Sequence, residues 1–175
     1  IFGKNMIDAD AINQYLDSDK FTVELSEPTS TRQVVLNTSS DILSEKDVRI
    51  ALQHATNKQN ISDGIFYGLE KPADTLFAST IPYCDIKLEP YAYNLELAGQ
   101  ILDDAGWKMG SGNVREKDGQ QLNIDLLYNS DSVTEKSIAE YLQSEYQSIG
   151  VSLNIHGEEE QSYRDNMKAG NFDMV

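Results

Sequence analysis

From residue 121 onward the apolar positions change period four times. Leu122, Ile124, Leu126 and Tyr128 recur at every second position, the spacing of a strand with one buried face. Ile138, Leu142, Tyr146 and Ile149 then recur at three- and four-residue intervals, a helical stripe that stops at Gly150. Val151, Leu153 and Ile155 return to alternation. A second helix, around Tyr163 and Met167, ends at Gly170 and delivers Phe172–Val175 as a third strand. Strand, helix and strand in this order predict a βαβ unit with a right-handed crossover. Residues 121–175 are thus expected to form a βαβαβ segment, and the fold class is α/β with a largely parallel C-terminal half.

Upstream, Asp8 or Asp10 can cap a short helix carrying Ile12, Tyr15 and Leu16. Phe21, Val23 and Leu25 alternate as a half-buried strand, broken at Glu27-Pro28. Gln33–Thr38 is more continuously apolar, which predicts a second and more buried strand. We therefore expect opening strands within residues 1–40. Ser44, three residues before Asp47, suggests a capping box. The helix it opens would bury Val48, Ala51, Leu52 and Ala55. Asn57 can cap a further helix that Gly68 terminates in a left-handed conformation. Residues 69–93 hold three of the four prolines and no periodicity. They predict a long ordered loop packed by Leu76, Phe77, Ile81, Tyr83 and Leu88. Asn94 opens another helix, burying Ala98, Ile101, Leu102 and Ala105 and stopping at Gly106. Residues 44–106 are thus a helical part around that loop. Gly110, Gly112 and Gly119 punctuate a hairpin-like excursion.

Charge narrows the partners. Lys and Arg total 14 against 29 Asp and Glu, a formal net charge of −15. Phosphate backbones are held by basic side chains, so nucleic acid and anionic membrane surfaces are disfavoured. An acidic surface attracts cations, but it also simply keeps a protein soluble. The single cysteine, Cys84, excludes an intramolecular disulfide and a cysteine-based zinc cluster. No apolar run approaches the ~18 residues of a membrane helix. The chain begins at Ile1 and stops in the apolar run Phe172–Val175, which we read as a piece of a longer protein.

Chemistry-bearing residues are few. His54 falls beside the buried face of its helix, His156 ends a strand, and neither belongs to a nucleophile–base motif. We expect structural or solvent roles for both, and no catalytic residue. His156-Gly-Glu-Glu-Glu160 invites a metal reading, since imidazole suits nickel and zinc. Glu158–Glu160 also sit where a helix begins, and there the macrodipole stabilises acidic residues. We favour the helix start and assign no metal ligand. Trp107, just after a helix stop, could stack on a ligand; a packing anchor is the expectation. Calcium-loop, phosphate-loop and dinucleotide patterns are missing.

Four stretches carry a resemblance. They are DVRIALQHATNKQNI at 47–61, YNLELAGQILDDAGW at 93–107, IAEYLQSEYQSIGV at 138–151 and AGNFDMV at 169–175. In order and spacing they resemble the large solute-binding protein family serving dipeptide, oligopeptide and nickel ABC importers. ADTLFASTIPY at 73–83, VREKDGQQL at 114–122 and GEEEQSY at 157–163 look most like its nickel-binding branch. The resemblance implies a type II, dipeptide-binding-like lobe with a mixed, partly parallel sheet flanked by helices. Residues 1–175 would be a single partial lobe of a two-lobed protein.

That protein would capture nickel, as a chelate, outside the cell membrane and hand it to an ABC permease. It would be periplasmic or a cell-surface lipoprotein, and not an enzyme. Its nickel chelate would be cargo, with no cofactor in this piece. The alternatives are a peptide or another metal chelate as cargo, or a sensory or interaction module reusing the lobe. Ligand-contact residues are implied to lie mainly outside these 175, and Arg49, Gly106 and Trp107 match the frame of the family. A dimer formed through an open edge on the last strand is also expected.

Overall fold

The computed structural model of the protein describes residues 9–16, 18–27, 30–79 and 81–175. Its helices are α1 Ala9–Leu16, α2 Asp41–Ser44, α3 Lys46–His54, α4 Lys58–Phe66, α5 Leu95–Asp104, α6 Val133–Ser148 and α7 Glu160–Ala169. Its strands are β1 Lys108–Met109, β2 Arg115–Lys117, β3 Gln120–Gln121, β4 Asn123–Asn129 and β5 Ser152–Glu158. Residue contacts gather in two units, one of residues 1–33 with 58–90, the other of 34–57 with 91–175. The division falls inside the helical part at 44–106.

The larger unit is built on β4 and β5, which pair in parallel from Asn123↔Ser152 to Asn129↔Glu158. Helix α6 connects them and packs on both. Ser132 caps it, its hydroxyl accepting from the Glu135 N–H at 3.2 Å. Leu122, Ile124, Leu126, Leu142, Tyr146, Ile149, Val151 and Leu153 are all buried, as the alternating and helical periods require. Leu127 is buried too, although it points to the opposite face from Leu126. Helices α3 and α5 pack together. Val48, Ala51, Leu52, Ala55, Ala98 and Leu102 supply their buried positions, while Ile101 and Ala105 are half-buried. The Asn94 side chain caps α5 by accepting from the Leu97 N–H at 2.9 Å. At 108–121 the glycine-punctuated excursion forms an antiparallel meander, β1–β2–β3.

Several expectations are corrected. Residues 21–27 form no strand; Phe21 and Leu25 are exposed, and Phe21 packs edge-on against Tyr15 at 5.2 Å. Alternation alone does not make a strand when no neighbour takes its backbone hydrogen bonds. Residues 33–38 reduce to a short pairing in which the Val35 N–H donates to Val175 O at 2.7 Å and the Asn37 N–H to Asp173 O at 2.8 Å. Val34 and Val35 are exposed there, not buried. Helix α3 is preceded by Glu45 rather than capped by Ser44, whose hydroxyl donates to Asp41 O at 2.7 Å. Of the two caps proposed for the first helix, Asp10 lies inside α1 and Asp8 lies outside the described residues.

Phe172–Val175 form not a full strand but isolated bridges at Met174, and among the described residues both sides of this segment are hydrogen-bonded. On one side Leu127 N–H donates to Met174 O and Met174 N–H to Asp125 O, each at 2.9 Å. On the other lie the bonds to residues 35–37, and Met174 itself is buried. The structural basis expected for a dimer through that edge is therefore lacking, because residues 34–37 occupy it.

The smaller unit holds α1, α4 and the loop that follows. Gly68, at φ 75°, ends α4 with its N–H on Ser62 O at 2.9 Å. The Ser62 hydroxyl donates to Glu70 O, Lys58 Nζ to Ala73 O at 2.9 Å, and the Arg32 guanidinium reaches Glu70 and lies 5.0 Å from the Phe66 ring centre. Residues 69–93 contain no helix or strand among those described, as expected. The loop is not packed by its own side chains, however: Leu76, Phe77, Tyr83 and Leu88 are exposed.

Candidate functional site

In open α/β sheets, ligands settle outside the carboxyl ends of the parallel strands. Here β4 and β5 end side by side, with Asn129 opposite Glu158. Residues 173–175 run parallel to β4 through the Leu126↔Met174 bridge and point to the same edge. The turns that leave this edge are tied to each other. Asn129 N–H donates to Glu135 Oε2 at 2.9 Å, its Nδ2 to Glu160 Oε2 at 2.5 Å, and its Oδ1 accepts from the Asp131 N–H at 3.0 Å. Ser130 N–H donates to Glu158 O at 2.8 Å. Glu158 Oε2 accepts from the Ser162 hydroxyl and from Asn166 Nδ2, the latter at 2.7 Å.

The edge is acidic and already hydrogen-bonded. Glu160 also accepts from Arg164 Nε. Burial pushes the Tyr163 phenol above its ordinary pKa, and the nearby Glu135 and Glu160 charges push it the same way. Gly157 lets the Tyr128 ring lie close over the backbone, since a Cβ there would stand 2.6 Å from the Tyr128 hydroxyl and the ring would have to shift. Such an edge can form one fixed wall of a cleft. It holds no nucleophile served by a base.

Each residue singled out in the sequence has a definite place. Glu158 closes β5, Glu159 is the N-cap of α7 and Glu160 its first residue, so the run is divided between a strand end and a helix start. His156 Nε2 lies 3.3 Å from Asp125 Oδ1, to which Asn154 Nδ2 also donates at 3.0 Å. His54 closes α3, its Nδ1 2.7 Å from Ala92 O and its ring edge-on to Tyr91 at 5.3 Å. The two histidines share no partner. Among the described residues, no group of three or more His, Cys, Asp or Glu is placed to hold a metal ion. Cys84 is a free, half-buried thiol.

Trp107 is buried, with its indole N–H donating to Glu45 Oε2 at 3.3 Å and Lys117 Nζ 5.7 Å from its ring centre. It is a packing anchor. Arg49 Nη1 donates to Leu43 O and Ser44 O at 2.7 and 2.9 Å, fixing α2 to α3. Gly106, at φ 92°, turns the chain out of α5.

Arg115 went unnoticed in the sequence. It is 6% exposed, and it donates Nε to Ile149 O at 2.7 Å and Nη1 to Trp107 O at 2.6 Å and Asp103 Oδ1 at 2.9 Å. It thereby satisfies carbonyls that follow two helices, α5 and α6. A lone arginine between Val114 and Glu116 carries no sequence signal of that role. Two open depressions, of about 470 and 390 Å³, lie toward the amino ends of the strands. Asp103, Met109 and Arg115 line the first, Val151, Ser152 and Leu153 the second. They lie away from the carboxyl edge, where the topology directs a ligand.

Residues 5–175 match the sequence profile of the bacterial extracellular solute-binding proteins, family 5, middle region. The nickel-binding periplasmic protein of Escherichia coli (strain K12) is 34% identical over 173 residues, 98% of this chain and 33% of that protein. NikA from Brucella suis, solved in complex with Fe(III)-EDTA, matches with a TM-score of 0.90 and 39% identity over 97% of this chain and 34% of its own. The oligopeptide-binding protein AppA from Bacillus subtilis, solved with a nonapeptide, matches with a TM-score of 0.75 and 25% identity over 81% of this chain and 29% of its own. The chain thus spans about a third of the length of these relatives. The mixed, partly parallel sheet flanked by helices is that of type II periplasmic binding proteins. With the profile matched over nearly all of its length and this fold beneath it, the chain belongs to the bacterial extracellular solute-binding proteins of family 5, which bind a solute and do not transform it.

Proposed function

We propose that this chain forms most of one lobe of the substrate-binding component of an ABC importer whose cargo is nickel, carried as a chelate. The observation that carries this reading is the 34% identity to a nickel-binding periplasmic protein across 98% of the chain. Its likeness to NikA, solved with Fe(III)-EDTA, supports a chelate over a bare ion. The local chemistry agrees. His54 and His156 are engaged by Ala92 O and Asp125, and Glu158 and Glu160 by their own helix and turn. A chelate brings its own ligands and needs only a few protein groups, most of them outside these residues.

The complete protein would work outside the cytoplasmic membrane, in the periplasm or as a surface lipoprotein, and deliver cargo to a membrane permease. Among the described residues no helix is long and apolar enough to cross a membrane. Calorimetric titration of Ni(II)–histidine into the full-length protein tests the reading. Sub-micromolar affinity, about −8 kcal/mol or tighter, is the expected result. Absence of heat with the nickel chelate, together with binding of a peptide, would move the assignment to the second reading, which the likeness to AppA favours.

A further inference from the structure

We propose that the depression between α5, the β1–β2–β3 meander and the end of α6 binds a free α-amino acid as its zwitterion. This does not rest on nickel as the cargo. The Arg115 side chain is only 7% exposed. Its Nε and Nη1 are taken by Ile149 O, Trp107 O and Asp103 Oδ1. Among the described residues nothing accepts from Nη2, which leaves its N–H donors without a protein partner. A buried guanidinium left partly unsatisfied calls for an acceptor from outside the chain.

Gly99 shows where that donor faces. It stands inside α5 with φ outside the left-handed region, so conformation is not what it supplies. Glycine there weakens the helix relative to alanine. A Cβ at Gly99 would stand 3.3 Å from Nη2, tighter than an ordinary contact. Gly99 and Arg115 both line the depression, whose volume of about 470 Å³ suits a small molecule. The absent side chain keeps Nη2 open to it.

Charge selects the ligand. Glu96, Gly99 and Asp103 follow one another at three- and four-residue spacing on one face of α5, and all three line the depression. A carboxylate therefore stands one helical turn to either side of the Nη2 opening. The hydrogen bond from Arg115 holds the Asp103 carboxyl below the usual carboxylate range, so it is charged at neutral pH. A simple anion would meet Arg115 but also both carboxylates. A simple cation would meet the carboxylates and leave Nη2 unmatched. A zwitterion satisfies both: its carboxylate accepts from Nη2 and its ammonium donates to Glu96 or Asp103, hydrogen bonds strengthened by the charge on each partner. Leu95, Met109 and Ile149 add an apolar wall, which favours an aliphatic side chain such as that of leucine.

Equilibrium dialysis of L-leucine against the full-length protein, with no metal added, tests the site. Two half-analogues accompany it: 4-methylpentanoate lacks the ammonium and leucinamide lacks the carboxylate. Saturable leucine binding is expected, with each half-analogue about tenfold weaker or more, because the site then leaves one of its own charges unmatched. Gly99→Ala, which favours the helix but crowds Nη2, should weaken leucine about tenfold. Glu96→Gln, at an exposed position, should weaken it about threefold without weakening 4-methylpentanoate. No saturable leucine binding overturns the proposal and leaves Nη2 to water. A half-analogue that binds as well as leucine overturns it in favour of a simple anion or cation site. Leucine binding that neither variant weakens lies elsewhere in the protein and also overturns it. Should Gly99→Ala fail to fold, Glu96→Gln and the half-analogues decide.

Discussion

Arg115 donates to Asp103 Oδ1 at 2.9 Å from a position where its own side chain is only 7% exposed and that of Asp103 is 46% exposed. The asymmetry decides what each contributes. The Asp103 carboxylate faces water, so its ion pair is weak by itself. Arg115 is committed to the interior by two carbonyls, Trp107 O and Ile149 O, beyond the ends of α5 and α6, where the macrodipole favours a cation. Arg115→Ala should therefore destabilise by about 3–5 kcal/mol, because it leaves buried acceptors unsatisfied. Asp103→Asn should lose about 1 kcal/mol or less. Urea unfolding of both variants checks the order; equal losses would show that the ion pair, not the carbonyls, is what Arg115 is for.

Asp103 makes the acid limb of stability testable. The hydrogen bond from Arg115 holds its carboxyl below the usual carboxylate range, reinforced by the Arg115 and Lys108 charges against some loss of solvent. A folded pKa depressed below the unfolded value of about 3.9 contributes stability that is present above that pH and lost as pH falls through the folded pKa. Unfolding midpoints measured from pH 6 down to 2.5 should fall less steeply below pH 4 in Asp103→Asn than in the unaltered protein. Parallel curves would show that the pair does not survive in solution.

Tyr146 governs the alkaline limb. Burial pushes its phenol up to about 12. Thr56 Oγ1 donates to Leu52 O at 2.8 Å, so at 3.0 Å the Tyr146 hydroxyl is left as donor to Thr56. The raised pKa means stability that is full below pH 10 and lost as pH rises toward 12. Tyr146→Phe removes one hydrogen bond, worth about 1 kcal/mol, and flattens that loss. Tyr93, also raised to about 12 but mainly by its hydrogen bond to Glu145, serves as the control. Tyr93→Phe should leave the alkaline loss due to Tyr146 in place.

Gly150 and Gly112 have similar left-handed backbones, at φ 82° and 75°, but different neighbours. A Cβ on Gly150 would lie 2.8 Å from Arg115 Cγ and 2.9 Å from Met109 Cε, whereas one on Gly112 meets nothing within 4 Å. Gly112→Ala should cost about 1–2 kcal/mol from backbone strain alone. Gly150→Ala adds a collision with a buried side chain, about 1–3 kcal/mol more. Adding Met109→Ala to Gly150→Ala should recover only part of that, since the contact with Arg115 remains. Thermal unfolding of the four proteins separates strain from crowding.

Periodicity made the C-terminal half legible because each period has its own partner there. Leu122, Ile124 and Leu126 alternate and find β5 and α6; Leu142, Tyr146 and Ile149 follow a helical stripe and find the sheet. Phe21, Val23 and Leu25 alternate equally well, yet no strand pairs with them among the described residues, and pairing is a property of the whole fold. Gly68, Gly106 and Gly170 were readable as helix stops because a left-handed terminus is a local requirement. Arg115 was not, because nothing within its own segment reveals that Trp107 O and Ile149 O will converge on it. Of the expected helix start Glu158–Glu160, Glu159 and Glu160 do open α7 while Glu158 closes β5; the partners Asn129, Ser162 and Asn166, from a separate turn and from one and two helical turns further on, were not legible.

The carboxyl edge offers the most discriminating substitution, because Asn129 is a donor that a near-isosteric acid cannot replace. Its Nδ2 lies 2.5 Å from Glu160 Oε2 while its Oδ1 accepts from the Asp131 N–H. Asn129→Ala removes both side-chain bonds and should cost about 1–2 kcal/mol, with little dependence on pH between 4 and 8. Asn129→Asp keeps the acceptor but sets a second carboxylate against Glu160, so the two cannot both ionise without repulsion and their folded pKa values rise. A raised carboxyl pKa makes the folded state bind more protons, so stability lost at pH 7 returns as pH falls through the raised values. Asn129→Asp should therefore be less stable than Asn129→Ala at pH 7 and recover toward it near pH 4, in urea unfolding at the two pH values. An aspartate no worse than alanine at pH 7 would mean that Glu160 turns away from Asn129 in solution, leaving this edge looser than the hydrogen bonds describe.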